Sequence, residues 1–255
     1  MNLQKQTIVV TGGARRLGRA IAFACAGAGA NVVITFNTSE SAARQTLEDL
    51  RAAFPGSRFD ALQADLSQSG QVAQLADKVR LNFDPIFGLV NNAAIFRRTP
   101  FETLSERDFD DHIAANLKAP FLLCKAFGDI FLANGRGAIV NIADIHGLRP
   151  LKNYVPYCVS KAGLIMLTQA MAKALAPGVR VNCICPGTIL LPSEAQGEPP
   201  NDEDYGDDED SLIARVPLKR LGTAEEIAAT VMFLLAGPQF VSGAVLPVDG
   251  AEHLR

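Results

Sequence analysis

The chain alternates short apolar runs with longer helical patterns along its length, and this alternation constrains its fold more than any other feature. Seven runs are strand candidates, at residues 8–10, 32–36, 59–63, 87–90, 138–142, 180–184 and 244–248. Helical patterns fill most of the gaps, at residues 16–28, 40–53, 69–82, 106–133, 153–175 and 223–235. Several strand candidates are apolar throughout, as expected when both faces of a parallel sheet are covered. The order predicts an α/β fold: a single Rossmann-type domain over residues 1–255, with a doubly wound, seven-stranded parallel sheet and helices on both faces.

The composition supports a large buried core and excludes several classes of protein. Of the 255 residues, 48% are hydrophobic and 20% are charged, which argues against disorder. With 24 basic against 27 acidic residues, the chain lacks the broad positive charge of a nucleic-acid binder. Glycine and asparagine interrupt the longest uncharged run, residues 20–39, so we expect no membrane span. The sequence shows no secretory signal, its five cysteines have no metal-ligand spacing and its three histidines are scattered; we therefore expect reduced thiols, no metal site and a cytoplasmic protein.

Acidic residues are concentrated in one segment. Nine of the 27 lie within residues 194–210, which contain no Lys or Arg. The remaining 18 are outnumbered by the 24 basic residues, so the rest of the chain is mildly basic. The surrounding stretch, residues 190–211, is also rich in Pro and Gly and is interpreted as a loop inserted in the domain. It is either a solvated surface loop or a lid over a substrate, because ligands of such folds bind at the carboxyl ends of the strands.

A glycine-rich turn, residues 11–18 (TGGARRLG), directly follows the first predicted strand and leads into a helical pattern. This arrangement is typical of a dinucleotide pyrophosphate site, since the glycines permit a tight turn and the helix N-terminus presents free N–H groups. Arg15 and Arg16 oppose the helix dipole at this position and therefore indicate an anionic partner.

The residues after the second predicted strand indicate which dinucleotide binds. An NAD-selective site usually has an acid there, whereas this chain has Thr38 and Ser39, with no carboxylate until Glu40. Hydroxyl groups, with Arg15 and Arg16 across the turn, would suit a ribose 2′-phosphate, which an acid would repel. We therefore predict NADPH as the cofactor.

A tyrosine and a lysine four residues apart, Tyr157 and Lys161, would lie on one face of the predicted helix 153–175. An ammonium group near a phenol favours the phenolate, and such a tyrosine is a usable general acid near neutral pH. The pair alone is a common pattern, so its weight depends on the motifs that accompany it.

These motifs in this order make the chain resemble the short-chain dehydrogenase/reductase family over essentially its whole length. The matching positions are the turn 11–18, Asp65-Leu66, Asn91-Asn92-Ala93, Asn116, Tyr157 with Lys161, and Pro186-Gly187. The resemblance implies an NAD(P)-dependent Rossmann-fold oxidoreductase. It also implies a homotetramer whose interface is formed by the helical segments 106–133 and 153–175.

The resemblance also implies roles for individual residues. Tyr157 would donate the proton, Lys161 would hold the nicotinamide ribose, and Asn116 would support a water-linked proton path. The cofactor-binding residues it implies are Gly12, Arg15, Arg16, Leu17, Gly18, Thr38, Ser39, Asp65, Leu66, Asn91, Ala93, Tyr157, Lys161, Pro186, Gly187 and Thr188.

Two positions depart from the general family pattern. Arg16 replaces the middle glycine of the turn, and Asp144, thirteen residues before Tyr157, occupies the place of the catalytic serine. Both changes together resemble the pteridine reductase branch, which has an Asp/Tyr/Lys active site. Further matches are residues 36–39 (FNTS), 91–96 (NNAAIF) and 186–192 (PGTILLP), the last typical of bacterial members. Thr38 departs from that branch, where this position is often basic.

The branch implies a pterin that stacks on Phe96, with Arg16 reaching both the cofactor phosphates and the pterin edge. The predicted substrate-binding residues are therefore Arg16, Phe96, Asp144 and Tyr157, and the predicted catalytic residues are Asp144, Tyr157, Lys161 and Asn116. A pterin is reduced across C=N bonds whose nitrogens need protons, and a carboxyl group can take part in such transfers.

Three functions are compatible with the sequence. The first is NADPH-dependent reduction of a dihydropterin- or dihydrofolate-like ring. The second is a carbonyl reductase of the same family, such as a 3-oxoacyl-carrier-protein reductase, against which Asp144 argues. The third is a non-catalytic NADP-binding sensor, against which the intact Tyr157 and Lys161 argue.

Overall fold

The computed structural model describes residues 3–190 and 209–255 and confirms the predicted fold. Seven strands form the main sheet: β1 (Thr7–Val10), β2 (Asn31–Phe36), β3 (Phe59–Gln63), β4 (Ile86–Asn91), β5 (Gly137–Ile142), β6 (Val179–Pro186) and β9 (Val245–Val248). They are parallel and lie in the order β3-β2-β1-β4-β5-β6-β9. Two further strands, β7 (Ile189–Leu190) and β8 (Gly222–Thr223), pair with each other in a separate parallel ladder that the sequence patterns did not predict.

Helices cover both faces of the main sheet. They are α1 (Arg16–Gly27), α2 (Glu40–Ala53), α3 (Ser69–Asn82), α4 (Glu106–Ile113), α5 (Ala119–Ala133), α6 (Val155–Ala174), α7 (Glu209–Arg215) and α8 (Ala224–Ala236). One core cluster joins the sheet to α1, α2 and α8, and a second joins it to α3, α5 and the C-terminal end of α6. Within the described ranges, no helix is both long and apolar enough to cross a membrane.

The predicted helix 106–133 is divided in the structure. A π-helical turn, Ala114–Lys118, separates α4 from α5. Pro120 explains the interruption, because proline has no N–H to donate to the carbonyl of Asn116, four residues earlier. The break therefore falls at a residue with a predicted catalytic role.

The strand order places the functional edge of the sheet. The chain runs outward from β1 through β2 to β3 and then returns to β4 on the other side of β1. In doubly wound sheets, ligands bind at this reversal, beyond the carboxyl ends of the strands. The glycine-rich turn follows β1, Asn92 and Ala93 follow β4, and Asp144 follows β5, so the predicted site residues converge on one edge.

The structure describes only part of the stretch that contains the acidic segment. Residues 191–208 lie outside the described residues, so the loop or lid predicted for 190–211 stays a prediction over most of its length. The described part of this stretch includes the first residues of α7, a helix that the sequence patterns did not predict.

Candidate active site

The glycine-rich turn forms a tight connection between β1 and α1. Gly12 has a backbone φ of +62°, which glycine adopts without a steric penalty. A side chain at Gly18 would place its Cβ 2.2 Å from the carbonyl oxygen of Gly12, so this close approach also requires glycine. Residues 12–19 contain no acidic side chain, which leaves the N-terminal end of α1 suited to an anion.

Residues after β4 fix this turn through hydrogen bonds. The Thr11 hydroxyl oxygen accepts from the backbone N–H of Asn92 at 2.9 Å and from that of Ala93 at 3.0 Å. The Asn92 side chain donates to the carbonyl oxygens of Thr11 at 2.9 Å and Gly12 at 3.2 Å. Asn92 is therefore a structural determinant of the glycine-rich turn, although the sequence motif gave it no separate role.

Asn91 has a different environment from the one predicted. Its side chain is buried and donates to the Asn141 Oδ1 atom at 2.8 Å, and Asn141 in turn donates to Thr168 Oγ1 at 2.8 Å. This polar chain links β4, β5 and α6 within the protein interior. The Asn91 side chain does not line the cleft described below; Asn92 and Ala93 line it on this stretch.

Arg16 occupies a strained backbone conformation. Its φ is +50°, in the left-handed region that non-glycine residues seldom adopt. The glycine that the general family pattern places here would adopt this conformation freely. The chain therefore retains an arginine at some cost to folding, and its side chain lines the cleft.

A cleft of about 480 Å³ runs along the functional edge of the sheet. An adjoining cavity of about 740 Å³ shares Gly12, residues 35–37 and Ala93 with it and is lined by Asp65 and Leu66. The predicted cofactor-binding residues that line one or both are Gly12, Arg15, Arg16, Leu17, Gly18, Thr38, Ser39, Asp65, Leu66, Ala93, Tyr157, Lys161, Pro186 and Gly187. Of the remaining two, Asn91 is buried as described and Thr188 is held by Glu252 behind the wall of the cleft.

The structure brings Asp144, Tyr157 and Lys161 together at one end of the cleft. The Tyr157 hydroxyl donates to Asp144 Oδ2 at 2.7 Å. The other oxygen of Asp144 accepts from the backbone N–H of His146 at 2.8 Å, which fixes the carboxylate at the start of a short 3₁₀ turn, Ile145–Gly147.

Lys161 is buried beside this pair. Its Nζ atom donates to the Ile142 carbonyl oxygen at 2.9 Å and lies 5.6 Å from the centre of the Tyr157 ring. Burial lowers the pKa of the Lys161 ammonium, an effect that the nearby Asp144 carboxylate opposes. Tyr157 is therefore flanked by a carboxylate that accepts its hydrogen bond and by an ammonium that favours its deprotonated form.

Phe96 and Tyr154 form an aromatic pair beside Tyr157. The Phe96 ring contacts Tyr157 edge to face, with ring centres 4.7 Å apart, and stacks on Tyr154 at 4.6 Å. Phe96 is 37% exposed, whereas Tyr154 is buried. The structure thus places Phe96 beside Tyr157, and its role in stacking on a substrate stays a prediction. Tyr154, which had no motif to identify it, supports one face of the Phe96 ring.

Asn116 holds the loop that carries Phe96. Its Oδ1 atom accepts from the Ile95 N–H at 2.8 Å, and its Nδ2 atom donates to the Ile95 carbonyl oxygen at 2.9 Å. The same nitrogen lies 3.1 Å from Ser160 Oγ. The polar atoms of the side chain are therefore hydrogen-bonded within the protein. The water-linked proton path predicted for Asn116 would have to use its backbone carbonyl.

A buried histidine on α4, His112, lies beside Tyr157. Its ring centre lies 6.4 Å from that of Tyr157, and Nδ1 donates to the Asp108 carbonyl oxygen at 2.7 Å. Over the described part of the chain, its Nε2 atom has no hydrogen-bond partner. Burial lowers the pKa of His112, and the charge of Arg97 acts in the same direction. His112 belongs to no sequence motif, so the sequence gave no reason to place it at the site.

Comparison with known proteins identifies the family. A sequence model described as enoyl-(acyl carrier protein) reductase matches residues 12–251. An uncharacterized oxidoreductase of Thermotoga maritima is 33% identical over 257 residues, covering 99% of each chain. A 3-oxoacyl-[acyl-carrier-protein] reductase of Synechocystis is 33% identical over 253 residues, covering 97% of each. The crystal structure of a putative short-chain alcohol dehydrogenase from Sinorhizobium meliloti has a TM-score of 0.88 and 29% identity, covering 98% of this chain and 97% of the other.

The chain belongs to the short-chain dehydrogenase/reductase family and is an oxidoreductase of that family. This confirms the family and the Rossmann-type fold expected from the sequence. The pteridine reductase branch is not represented by these relatives and stays a hypothesis.

Two variants of Arg16 distinguish the effect of its backbone strain on stability from the effect of its side chain. Arg16→Gly and Arg16→Ala both remove the guanidinium group, but only glycine relieves the positive φ. We expect the glycine variant to be more stable than the alanine variant by about 1 kcal/mol. Urea unfolding of the two variants measures the difference, and equal stabilities would contradict the strain.

The lowered pKa of His112 predicts a pH-dependent stability. The unfolded chain protonates this histidine below about pH 6.5, whereas the folded protein resists protonation. The unfolded state then binds more protons, so the free energy of unfolding falls with decreasing pH by up to about 1.4 kcal/mol per pH unit. His112→Leu should reduce this slope between pH 6.5 and 5 and leave the slope at pH 8 unchanged. Urea unfolding at each pH measures it, and parallel curves for both proteins would refute the prediction.

Proposed function

We propose that the protein is an NADPH-dependent reductase of a pterin-type ring, of the dihydropterin or dihydrofolate kind. The observation that carries the proposal is the 2.7 Å hydrogen bond from Tyr157 to Asp144, a carboxylate at the position where the general family pattern has serine. A serine hydroxyl can donate to a carbonyl oxygen of a substrate. An ionised carboxylate only accepts hydrogen bonds and suits a substrate that carries N–H groups.

The cleft fits the proposed cofactor. The glycine-rich turn and the N-terminal end of α1 would receive the pyrophosphate. Arg15, Arg16, Thr38 and Ser39 line the same cavity, and residues 35–39 contain no acid, a charge pattern that favours a 2′-phosphate. Asp65 and Leu66 would lie beside the adenine, while Tyr157 and Lys161 would lie at the nicotinamide end.

The residues at the nicotinamide end would have separate roles in the reduction. NADPH, when bound, supplies a hydride to a ring carbon of the substrate. Tyr157 would give its proton to the adjacent ring nitrogen, and Lys161 would stabilise the phenolate that remains. The negative charge of the Asp144 carboxylate disfavours a phenolate beside it. A proton delivered to Tyr157 through Asp144, or through a water bound to Asp144, would restore the phenol and complete the cycle. Phe96, supported by Tyr154, offers a flat surface beside Tyr157 for an aromatic ring.

A second candidate is the reduction of a carbonyl group, which the sequence analysis gave as its alternative. The 3-oxoacyl-[acyl-carrier-protein] reductase of Synechocystis, one of the relatives with a named activity, favours it. These relatives support the carbonyl reductase better than they support the pterin reductase, whereas the chemistry at Asp144 favours the pterin. An assay with both kinds of substrate distinguishes the two.

We expect the purified protein to oxidise NADPH faster than NADH with dihydrobiopterin or dihydrofolate, measured by the loss of cofactor absorbance. Asp144→Ser should lower the pterin activity by about a hundredfold and raise activity with an acetoacetyl thioester. Tyr157→Phe, as the control, should remove both activities.

Thioester turnover without pterin turnover would overturn the proposal in favour of the carbonyl reductase. Binding of NADPH with no turnover of any substrate, unchanged by Tyr157→Phe, would instead favour a sensor.

We further propose that the protein assembles as a homotetramer through α5 and α6. Both helices expose apolar side chains, among them Phe121, at 44% exposure, and Met166, at 62%. Phe121→Glu with Met166→Glu should therefore reduce the sedimenting mass to that of a dimer or monomer. Leu81 on α3, which is 75% exposed, provides a matched control, because Leu81→Glu should leave the mass unchanged. A monomeric wild-type protein would refute the assembly.

A further inference from the structure

Residues 249–255 form a hydrogen-bonded turn. Gly250 and Ala251 both have positive φ values, +60° and +70°. The Asp249 carboxylate holds this conformation by accepting from the N–H groups of Ala251 at 3.1 Å and His253 at 2.7 Å. His253 Nδ1 lies 2.6 Å from the same carboxylate. These hydrogen bonds fix the backbone on both sides of Glu252, the residue at the centre of the turn.

Glu252 places a buried carboxylate behind the wall of the cleft. The residue is 3% exposed, and its two oxygens accept from the backbone N–H of Thr188 at 2.9 Å and the Thr188 hydroxyl at 3.2 Å. A Cβ at Gly187 would lie 2.9 Å from one of these oxygens, so the carboxylate packs directly against Gly187. Burying a carboxylate is unfavourable unless it is hydrogen-bonded. The two bonds to Thr188 therefore fix the position of this wall.

The backbone of the same residue reaches a second wall. Arg149 Nη1 donates to the Glu252 carbonyl oxygen at 2.6 Å and lies 3.3 Å from that of Arg255. Arg149 follows the short turn that carries Asp144 by a few residues. Glu252 thus connects the wall formed by Pro186 and Gly187, through its side chain and Thr188, with the Asp144 turn, through its backbone.

We propose that Glu252 is a positioning residue that sets the separation of these two walls and thereby the grip of the site on the nicotinamide half of the cofactor. This inference rests on the proposed function, because it takes this end of the cleft as the nicotinamide end. Glu252 does not line the cavity that contains Asp65 and Leu66. Its loss should therefore weaken binding of the whole cofactor and spare a ligand that fills only the adenosine end.

The test compares two ligands on three variants of the full chain. Glu252→Met removes both hydrogen bonds at similar volume. Glu252→Gln retains them, because its amide oxygen accepts from the Thr188 N–H and its NH₂ donates to the Thr188 hydroxyl oxygen. Glu225→Gln, at an exposed carboxylate in the first turn of α8, is the matched control for loss of charge. Dissociation constants for NADPH and for adenosine 2′,5′-bisphosphate are measured by titration without any substrate.

We expect Glu252→Met to bind NADPH about tenfold more weakly, a change of about 1.4 kcal/mol, and adenosine 2′,5′-bisphosphate as the wild type does. Glu252→Gln and Glu225→Gln should bind both ligands within about twofold of the wild type. Equal weakening of both ligands in Glu252→Met, or a tenfold loss in Glu252→Gln, would overturn the proposal. So would unchanged binding in Glu252→Met.

A milder variant covers the case in which Glu252→Met fails to fold. Thr188→Val removes one of the two hydrogen bonds and should weaken NADPH alone by about threefold; unchanged NADPH binding would then overturn the proposal. Since no measurement uses a pterin, failure of pterin turnover would affect the proposed function only. A wild-type protein that binds no NADPH would overturn both.

Discussion

The hydrogen bonds from Asn92 and Ala93 to Thr11 are the constraint on which the site depends. They join the end of β4 to the end of β1, the two strands on either side of the point where the sheet reverses its order. A turn made of glycines has little conformational preference of its own and must be shaped by its surroundings. Because a single hydroxyl accepts both N–H groups, the glycine-rich turn is fixed relative to the residues after β4 that line the cleft.

The opposite end of the cleft is governed by charge. Tyr157 lies between the Asp144 carboxylate and the buried Lys161 ammonium, and the two charges have opposite effects on its ionisation. A serine at position 144 would leave the ammonium unopposed. Asp144 therefore adds a charge beside the tyrosine that is opposite in sign to that of Lys161.

The sequence predicted much of the fold, because parallel strands covered on both faces leave a clear apolar pattern, and all seven main strands lie where it placed them. The π-helical turn at Asn116 was not predicted. Pro120 removes a hydrogen bond to the Asn116 carbonyl, and whether the helix then continues, bends or changes its turn depends on contacts that the sequence does not show. The short strands Ile189–Leu190 and Gly222–Thr223 were also missed, because two residues carry no periodicity.

The site was predicted where a motif identified it and missed where only three-dimensional contact does. Asp144, Tyr157 and Lys161 come together as their spacing indicated. Tyr154, His112 and Glu252 are single residues without a motif, and each gains its meaning from a neighbour distant in the sequence. The motif also did not separate Asn91 from Asn92, because alternate residues at a strand end face opposite sides of the sheet.

The left-handed backbone at Arg16 has a consequence for protein engineering. Replacing unusual residues by those commonest in a family is a standard route to greater stability, and at this position the family pattern would suggest glycine. Such a change would relax the backbone while removing a guanidinium group from the lining of the cleft. Stabilising this protein by consensus would therefore erase one of the two residues at which its site departs from the general family pattern.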